Sequence, residues 1–137
     1  MKIIKEDSPS LQDTNAIEKI LSAYNTQHMG AAEWKTLTLT LRDENDTIVG
    51  GLRGSTGWDW LYVDTLAVAE TARGRDWGTR LLAAAEEEAR ARGCHSAYLD
   101  TFDFQALPFY QKQGYVVFGE LARFPGDHTR YFLKKVF

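Results

Sequence analysis

The sequence LYVDTLAVAETARGRDWGTRLLAAAEEEARARGCHSAYLDT, residues 61–101, contains the pattern of a strand, a helix and a second strand. Residues 61–68 are mostly apolar, β-branched or aromatic, which is typical of a central strand covered on both faces. Apolar residues then recur at helical spacing as far as Gly93, which is expected to end the helix as a C-cap. Residues 96–101 form the second buried strand, so the segment predicts a crossover unit with parallel neighbouring strands.

The predicted helix of this unit has an apolar side and a charged side. Its buried stripe is expected to consist of Leu81, Leu82, Ala85 and Ala89. On the charged side, the pairs Glu86–Arg90 and Glu88–Arg92 have the i,i+4 spacing of helical ion pairs. We expect both pairs to face water.

Two further patterns lie upstream of the crossover unit. Residues 37–41 alternate between leucine and polar side chains, and together with residues 48–52 they predict an antiparallel hairpin. Ser8 followed by Pro9 is typical of the start of a helix, and apolar residues at helical spacing extend that helix over about residues 10–28.

Downstream of the unit, residues 106–113 predict a short helix that Gly114 closes. Residues 115–121 and 131–135 predict two final antiparallel strands. The expected fold class is therefore α/β, with a mixed, mostly antiparallel central sheet flanked by helices.

Composition limits the class of protein. The 137 residues are 44% hydrophobic and 26% charged, which predicts one soluble domain over residues 1–137 with a core that needs neither metal nor disulfide. Cys94 is the only cysteine, so we expect no disulfide and, by default, a cytoplasmic location. The net charge of −3 argues against a nucleic-acid partner, and no apolar run predicts a membrane span or membrane partner.

The loop Arg73-Gly74-Arg75-Asp76-Trp77-Gly78 joins the central strand to the long helix. Free amides and the positive dipole end of a helix attract anions, and glycines allow close approach of a diphosphate. Arg73, Arg75 and Arg80 add positive charge. By spacing alone, an ordinary helix start with surface arginines accounts for the pattern equally well.

The loop resembles the acyl-CoA pyrophosphate loop of the GNAT superfamily of N-acetyltransferases, whose pattern is Q/R-x-x-G-x-G/A. Arg73 and Gly78 match the first and last positions, whereas Asp76 stands where the middle glycine is usual. We expect the Asp76 amide to face the pyrophosphate. Its carboxylate, which would repel a phosphate, is expected to cap the helix or to pair with an arginine.

A second motif, residues 103–115, resembles the segment N-x-x-A-x-x-x-Y-x-x-x-G-F/Y of the same superfamily. Ala106, Tyr110, Gly114 and Tyr115 fall on its fixed positions, and Asp103 falls on its asparagine. Two motifs in the right order, separated by a helix and a strand, are a stronger signal than either one.

The resemblance implies a function. It implies direct transfer of an acetyl group from acetyl-CoA to a primary amine of a small molecule or peptide, without a metal. It further implies that the parallel strand pair splays at the acyl-CoA site, and family habit implies a homodimer. The residues implied to bind the donor are Leu66, Val68, Arg73, Gly74, Arg75, Asp76, Trp77, Gly78, Thr79, Asp103 and Tyr110. The alternative is a non-catalytic acyl-CoA sensor or interaction module.

Two residues are candidates for catalysis. The resemblance places the Tyr110 hydroxyl beside the coenzyme sulfur, where it would protonate or hydrogen-bond the leaving thiolate, and the Val68 amide at the carbonyl oxygen. Asp64 is the candidate base, because a charge in an otherwise apolar strand is costly unless it is paired or useful. A structural role for Asp64 explains its position equally well. Tyr62 occupies the position at which some family members carry a catalytic glutamate.

The acceptor site is the least specified part of the sequence. Trp34, Tyr62 and His128 are the candidate substrate-binding residues, with core packing as the alternative for Trp34 and a solvated loop as the alternative for His128. An acidic groove would favour cationic substrates. Its candidate residues are Glu33, Asp59, Asp64 and Asp103.

Overall fold

The computed structural model describes residues 1–137 and divides them into two units, Met1–Ala32 and Glu33–Phe137. The first unit contains helix α1, Leu11–Met29. Its N-cap is Ser10, whose hydroxyl oxygen accepts a hydrogen bond from the Asp13 amide at 3.0 Å. The predicted start at Ser8-Pro9 is therefore wrong by two residues, because a later serine satisfies the free amides of the first turn.

The second unit contains a six-stranded sheet with the order β1-β2-β3-β4-β6-β5. The strands are β1 Lys35–Arg42, β2 Ile48–Gly57, β3 Trp60–Val68, β4 Ser96–Phe102, β5 Val116–Leu121 and β6 Arg130–Val136. Helix α2 spans Trp77–Ala91 and helix α3 spans Leu107–Lys112. Only β3 and β4 pair in parallel, so the mixed, mostly antiparallel α/β sheet and the parallel crossover strands are both confirmed.

The parallel strands separate half-way along their length. They pair from Trp60 to Val63 on β3 and from Ser96 to Leu99 on β4, and no further. Beyond this point β3 continues beside β2, and β4 continues beside β6. The register of the β2–β3 ladder shifts at the same level, so that Asp64 has no partner on β2. The strands thus open a gap at Asp64, which is a common result of a β-bulge.

One face of the sheet carries the core. Leu81, Leu82, Ala85 and Ala89 of α2 are buried, as predicted, together with alternate residues of β3 and β4 such as Leu61 and Leu99. The other residues of β3 differ from the prediction: Trp60 and Tyr62 are half-buried and Asp64 is exposed. Strand alternation gives β3 one face under α2 and a second face that stays accessible, so it is not covered on both faces.

Glu86 lies on the buried side of α2, so its predicted surface pair with Arg90 is wrong. Its carboxylate accepts hydrogen bonds from Lys135 Nζ at 2.8 and 2.9 Å and from the Tyr115 hydroxyl at 3.0 Å. By contrast, the predicted pair Glu88–Arg92 is present, with 2.7 Å between Oε1 and Nε. The partners of Glu86 are distant in sequence, and only the folded sheet brings them together.

Glu86→Ala is expected to lower the free energy of unfolding by about 3 kcal/mol, because it leaves a partly buried lysine without its counter-charge. Urea denaturation of the purified chain measures the change. Glu88→Ala serves as the control and should cost less than about 1 kcal/mol, since it removes a more exposed pair. Equal losses in both variants would contradict a special role for the buried network.

Candidate active site

The gap between β3 and β4 opens into a cleft of about 850 Å³. Three segments line it: the end of β3, the loop that leads into α2, and the connection from β4 to α3. The lining residues are Asp64, Thr65, Leu66, Ala67, Val68, Ala72, Arg73, Gly74, Asp76, Trp77, Gly78, Thr79, Asp100, Thr101, Phe104, Gln105, Ala106, Phe109 and Tyr110. The two sequence motifs therefore meet on opposite walls of a single cleft.

The loop wall presents a run of free backbone amides. From Gly74 to Thr79 no amide donates to an acceptor of the chain, and the first paired amide is that of Arg80, which donates to the Asp76 carbonyl at 3.0 Å. Gly74 has a φ of +79°, a conformation that glycine adopts without strain. Unpaired amides at the positive end of a helix form an anion site.

Asp76 does not behave as the sequence predicted. It occupies the N-cap position of α2 in the left-handed conformation, with φ 59° and ψ 18°, and its side chain neither caps the helix nor pairs with an arginine. A side chain caps a helix when the backbone of the N-cap residue is extended, and the backbone of Asp76 is not extended. The positive φ also explains why glycine is usual at this position, and aspartate is among the few other residues that tolerate it.

The loop arginines keep their charge available. Arg73, Arg75 and Arg80 form no ion pair with a carboxylate of the chain. Arg73 Nε donates to the Val68 carbonyl at 3.2 Å, and Arg80 lies 4.1 Å from the centre of the Trp77 ring. Three arginines without a carboxylate partner thus lie within or next to the run of free amides in the sequence.

The end of β3 offers further donors to the cleft. The Ala69 amide donates to the Val49 carbonyl of the β2 side at 2.8 Å. Because amides alternate along a strand, those of Leu66 and Val68 point to the other edge, where β4 has separated. The backbone of this strand end therefore faces the cleft with free N–H groups.

Tyr110 is a largely buried residue of the opposite wall. It lies on α3 and is 7% exposed. Its hydroxyl makes no hydrogen bond within the chain, and since no buried side-chain oxygen lacks a partner, the hydroxyl oxygen is accessible. Burial, and secondarily the negative charge of Asp100, raises the pKa of Tyr110 to about 12. The hydroxyl therefore stays protonated at neutral pH and remains free to donate a hydrogen bond into the cleft.

Asp64 lines the cleft mouth as an exposed carboxylate. Its side chain is 48% exposed, and its Oδ2 lies 3.7 Å from Nη2 of the more exposed Arg53. The costly burial that singled it out in the sequence is absent, because the strand separation gives water access to it. Tyr62 stacks on Tyr98 with 5.0 Å between ring centres, and burial followed by the charges of Asp100 and Asp64 raises its pKa.

The other predicted site residues lie outside the cleft lining. Trp34 lines a separate aromatic groove of about 450 Å³ that also includes Trp58. Asp103 Oδ1 lies 2.8 Å from His128 Nδ1, and Oδ2 accepts the Thr129 amide at 3.0 Å, a bond that is the main cause of the lowered pKa of Asp103. These contacts join the start of the β4–α3 connection to the loop before β6.

The main cleft residue that the sequence analysis missed is Asp100. The only available signal was a second carboxylate in a predicted buried strand, the same signal that identified Asp64. Phe104 and Gln105 were missed as well, because a motif match marks its fixed positions and not the residues between them.

Comparison with known proteins identifies the family. The model of the acetyltransferase (GNAT) family matches residues 6–115. An acetyltransferase of Agrobacterium fabrum is 37% identical over 137 residues, which cover 100% of both chains. The chain belongs to the GNAT family of acetyltransferases.

Two further relatives of this acetyltransferase support the assignment. The blasticidin-S acetyltransferase of Streptomyces morookaense is 42% identical over 93 residues, 67% of this chain and 68% of that one. The crystal structure of an acetyltransferase from Bacillus cereus superposes with a TM-score of 0.91 at 29% identity, covering 99% of this chain and 98% of that one. The predictions of family and of an acyltransferase are confirmed. No helix of the acetyltransferase has both the length and the apolarity to cross a membrane.

Proposed function

We propose that this acetyltransferase binds acetyl-CoA in the cleft and transfers the acetyl group directly to a primary amine of a small molecule or peptide, with residues 1–137 acting as one domain. The observation that carries the proposal is the run of free amides from Gly74 to Thr79 opposite the Tyr110 hydroxyl. An anion site and a free hydroxyl donor on facing walls suit a phosphorylated thioester.

The cleft residues fit the donor in charge and in hydrogen-bonding capacity. The amides from Gly74 to Thr79 would receive the pyrophosphate, and Arg73 and Arg75 would add charge-assisted hydrogen bonds. The free backbone amides of Leu66 and Val68 would bind along the remaining length of the donor. Asp103 stays a prediction as a donor-binding residue, and both of its oxygens already have partners within the chain.

Acetyl-CoA supplies a thioester whose acyl carbon an amine can attack. The Val68 amide, which faces the cleft, would donate a hydrogen bond to the thioester carbonyl oxygen and stabilise the charge that develops there. Such a preorganised donor acts without reorganisation in a site from which water is partly excluded.

Tyr110 would stabilise the departing thiolate by a hydrogen bond rather than by giving up its proton. A cysteine-like thiol has a pKa of about 8.5, so proton transfer from a tyrosine with a pKa of about 12 would cost about 5 kcal/mol. A hydrogen bond from a neutral hydroxyl has no such cost, and the raised pKa keeps that hydroxyl neutral. Of the two roles that the sequence left open for Tyr110, the hydrogen bond is therefore the one that we propose.

Asp64 would accept the proton of the attacking amine through a water molecule. A lysine-like amine has a pKa of about 10.4, so its deprotonation at pH 7 costs about 4.6 kcal/mol and requires an acceptor. The exposure of the Asp64 carboxylate at the cleft mouth allows water to reach it.

Asp64→Asn is expected to lower kcat/KM for the amine by about 10- to 100-fold at pH 7, because the amide cannot accept the proton. Release of the coenzyme thiol measures the rate, and acetyl-CoA affinity should not change. Arg53→Met is the matched control, since it removes the partner of Asp64 but keeps the carboxylate. If Arg53→Met reproduces the loss, or Asp64→Asn leaves the rate unchanged, Asp64 is not the base.

The proposal as a whole is tested by incubating the chain with acetyl-CoA and primary amines, including blasticidin S and a short peptide, and by detecting the free thiol and the acetylated amine. Blasticidin S belongs in the set because one relative is named for it. Stoichiometric formation of both products, with no release of thiol in the absence of amine, supports direct transfer. Tight acetyl-CoA binding without product would favour the non-catalytic sensor.

A further inference from the structure

A second carboxylate, that of Asp100, lines the cleft together with Asp64. Asp100 follows Leu99, the last residue of β4 that pairs with β3, so it stands where the two strands part. The proposed reaction assigns no role to it. A partly buried carboxylate at the opening between two strands is costly unless it is paired or useful.

The Asp100 side chain is fixed and has one oxygen free. Its Oδ2 accepts a hydrogen bond from Arg130 Nε at 2.7 Å, and the two side chains are only 17% and 28% exposed. Its Oδ1 has no hydrogen-bond partner within the chain, and no buried side-chain atom of the chain lacks a partner, so Oδ1 is accessible. A charged acceptor that is held in one orientation, with a free oxygen beside a cleft, is suited to binding an N–H donor.

Aromatic rings hold the arginine in turn. The Arg130 guanidinium carbon lies 5.6 Å from the Phe102 ring centre and 5.2 Å from those of Phe124 and Phe132. These cation–π contacts, together with the ion pair, restrict the arginine to one position. The order of Asp100 therefore depends on Arg130.

The negative charge of Asp100 affects two tyrosines, Tyr110 and Tyr62. It contributes to the raised pKa of Tyr110 and to that of Tyr62. Asp100 and Tyr110 also line the same cleft, which is consistent with this influence.

We propose that Oδ1 of Asp100 binds the N–H of the acceptor amine and that Arg130 is the positioning residue for Asp100. The acceptors are then cationic primary amines without a carboxylate on the carbon next to the amine. This inference rests on the proposed function. An amine that approaches Oδ1 of Asp100 as a cation is attracted to it. A carboxylate on the adjacent carbon would come close to the same oxygen and be repelled, although Arg130 on Oδ2 and Arg53 beside Asp64 reduce this repulsion.

The test uses matched acceptors and thiol release. The first pair is 2-phenylethylamine and phenylalanine, and the second is histamine and histidine; in each pair only the carboxylate differs. Wild-type chain is expected to have a kcat/KM at least about tenfold higher for each amine than for its amino acid. Equal rates within the pairs, or no turnover of any of the four compounds, would overturn the assignment of the acceptor class.

Variants test the residues themselves. Asp100→Asn is expected to raise KM for 2-phenylethylamine by about tenfold or more, with the acetyl-CoA Kd unchanged. Arg130→Met should raise KM similarly, and Arg130→Lys should recover part of the loss, whereas Lys134→Met, a change to an exposed cation of the same strand, should have no effect. Asp100→Glu keeps the charge but moves the oxygens, so it should also raise KM for 2-phenylethylamine. This variant provides the test if Asp100→Asn does not fold.

Two results would contradict these roles. An unchanged amine KM in folded Asp100 variants would remove Asp100 from acceptor binding, and an equal loss of acetyl-CoA affinity would show a purely structural role. Failure of the wild-type chain to bind acetyl-CoA would instead refute the proposed function. The acetyl-CoA titration therefore separates the two failures.

Discussion

Tyr110→Phe is expected to lower kcat by about 10²- to 10³-fold, the usual effect of removing one hydrogen-bond donor from a developing charge. The substitution deletes only the hydroxyl, and no residue of the chain loses a hydrogen bond. The ring contacts that place Tyr110 between Phe109 and Tyr115 are retained. Acetyl-CoA affinity should therefore change little, and thiol release at saturating amine and acetyl-CoA measures the loss.

The raised pKa of Tyr110 fixes the pH range of this experiment. Because the folded pKa is about 12 and the ordinary value is 10.0, the hydroxyl stays neutral throughout neutral and mildly alkaline pH. Its contribution to stability is present in full below pH about 10 and is lost as the pH rises through about 12. Any alkaline decline in kcat below pH about 10 should thus persist in Tyr110→Phe.

Tyr131→Phe is the control for this change, since Tyr131 lies on β6 outside the cleft lining. It should leave kcat within about twofold of the wild-type value. If Tyr110→Phe has the same kcat as Tyr131→Phe, Tyr110 is not part of the mechanism and only packs in the core.

Gly78→Glu is expected to raise KM for acetyl-CoA by at least about 100-fold, which corresponds to about 2.7 kcal/mol. The substitution puts a carboxylate into the run of free amides that is proposed to bind the pyrophosphate. It also puts a Cβ atom 3.4 Å from the Phe109 ring, on the wall that carries Tyr110. The initial rate of thiol release against acetyl-CoA concentration gives the KM.

A matched control exists on β5. A Cβ at Gly119 would meet no atom within 4 Å, so Gly119→Glu introduces the same charge without crowding and away from the cleft. Its KM for acetyl-CoA should equal the wild-type value. Equal increases in both variants would mean that the added charge, and not its position in the loop, weakens donor binding.

The part of the fold that the sequence could predict is the part set by local pattern. The alternation of leucine and polar residues in β1, the helical stripe of α2 and Gly93 after the end of that helix are properties of neighbouring residues. A strand, helix and strand in one segment also predict the parallel pairing, because the helix returns the chain to the end of the sheet at which the first strand began. The loop from Arg73 to Gly78 could be located for the same reason.

Features that depend on distant partners could not be predicted. Glu86 has a suitable arginine four residues away, yet it binds Lys135 and Tyr115, which only the folded sheet places beside α2. Asp100 meets Arg130 across 30 residues, and Asp103 meets His128 across 25. Sequence spacing contains no record of such contacts.

Backbone conformation limited the prediction at two further points. Asp76 was expected to cap α2, but its left-handed φ turns the side chain away from the free amides. Asp64 was singled out for the cost of a buried charge, whereas the separation of β3 and β4 leaves it exposed. Its proposed role as base now rests on its position at the cleft mouth and not on burial.

The central claim is that the amides from Gly74 to Thr79 bind the donor, and calorimetric titration with acetyl-CoA tests it most directly. The wild-type and Gly119→Glu chains are expected to bind with the same Kd, in about the micromolar range. Gly78→Glu is expected to give no binding heat at those concentrations. A folded wild-type chain that does not bind acetyl-CoA, or a Gly78→Glu chain that binds as the wild type does, would contradict the account.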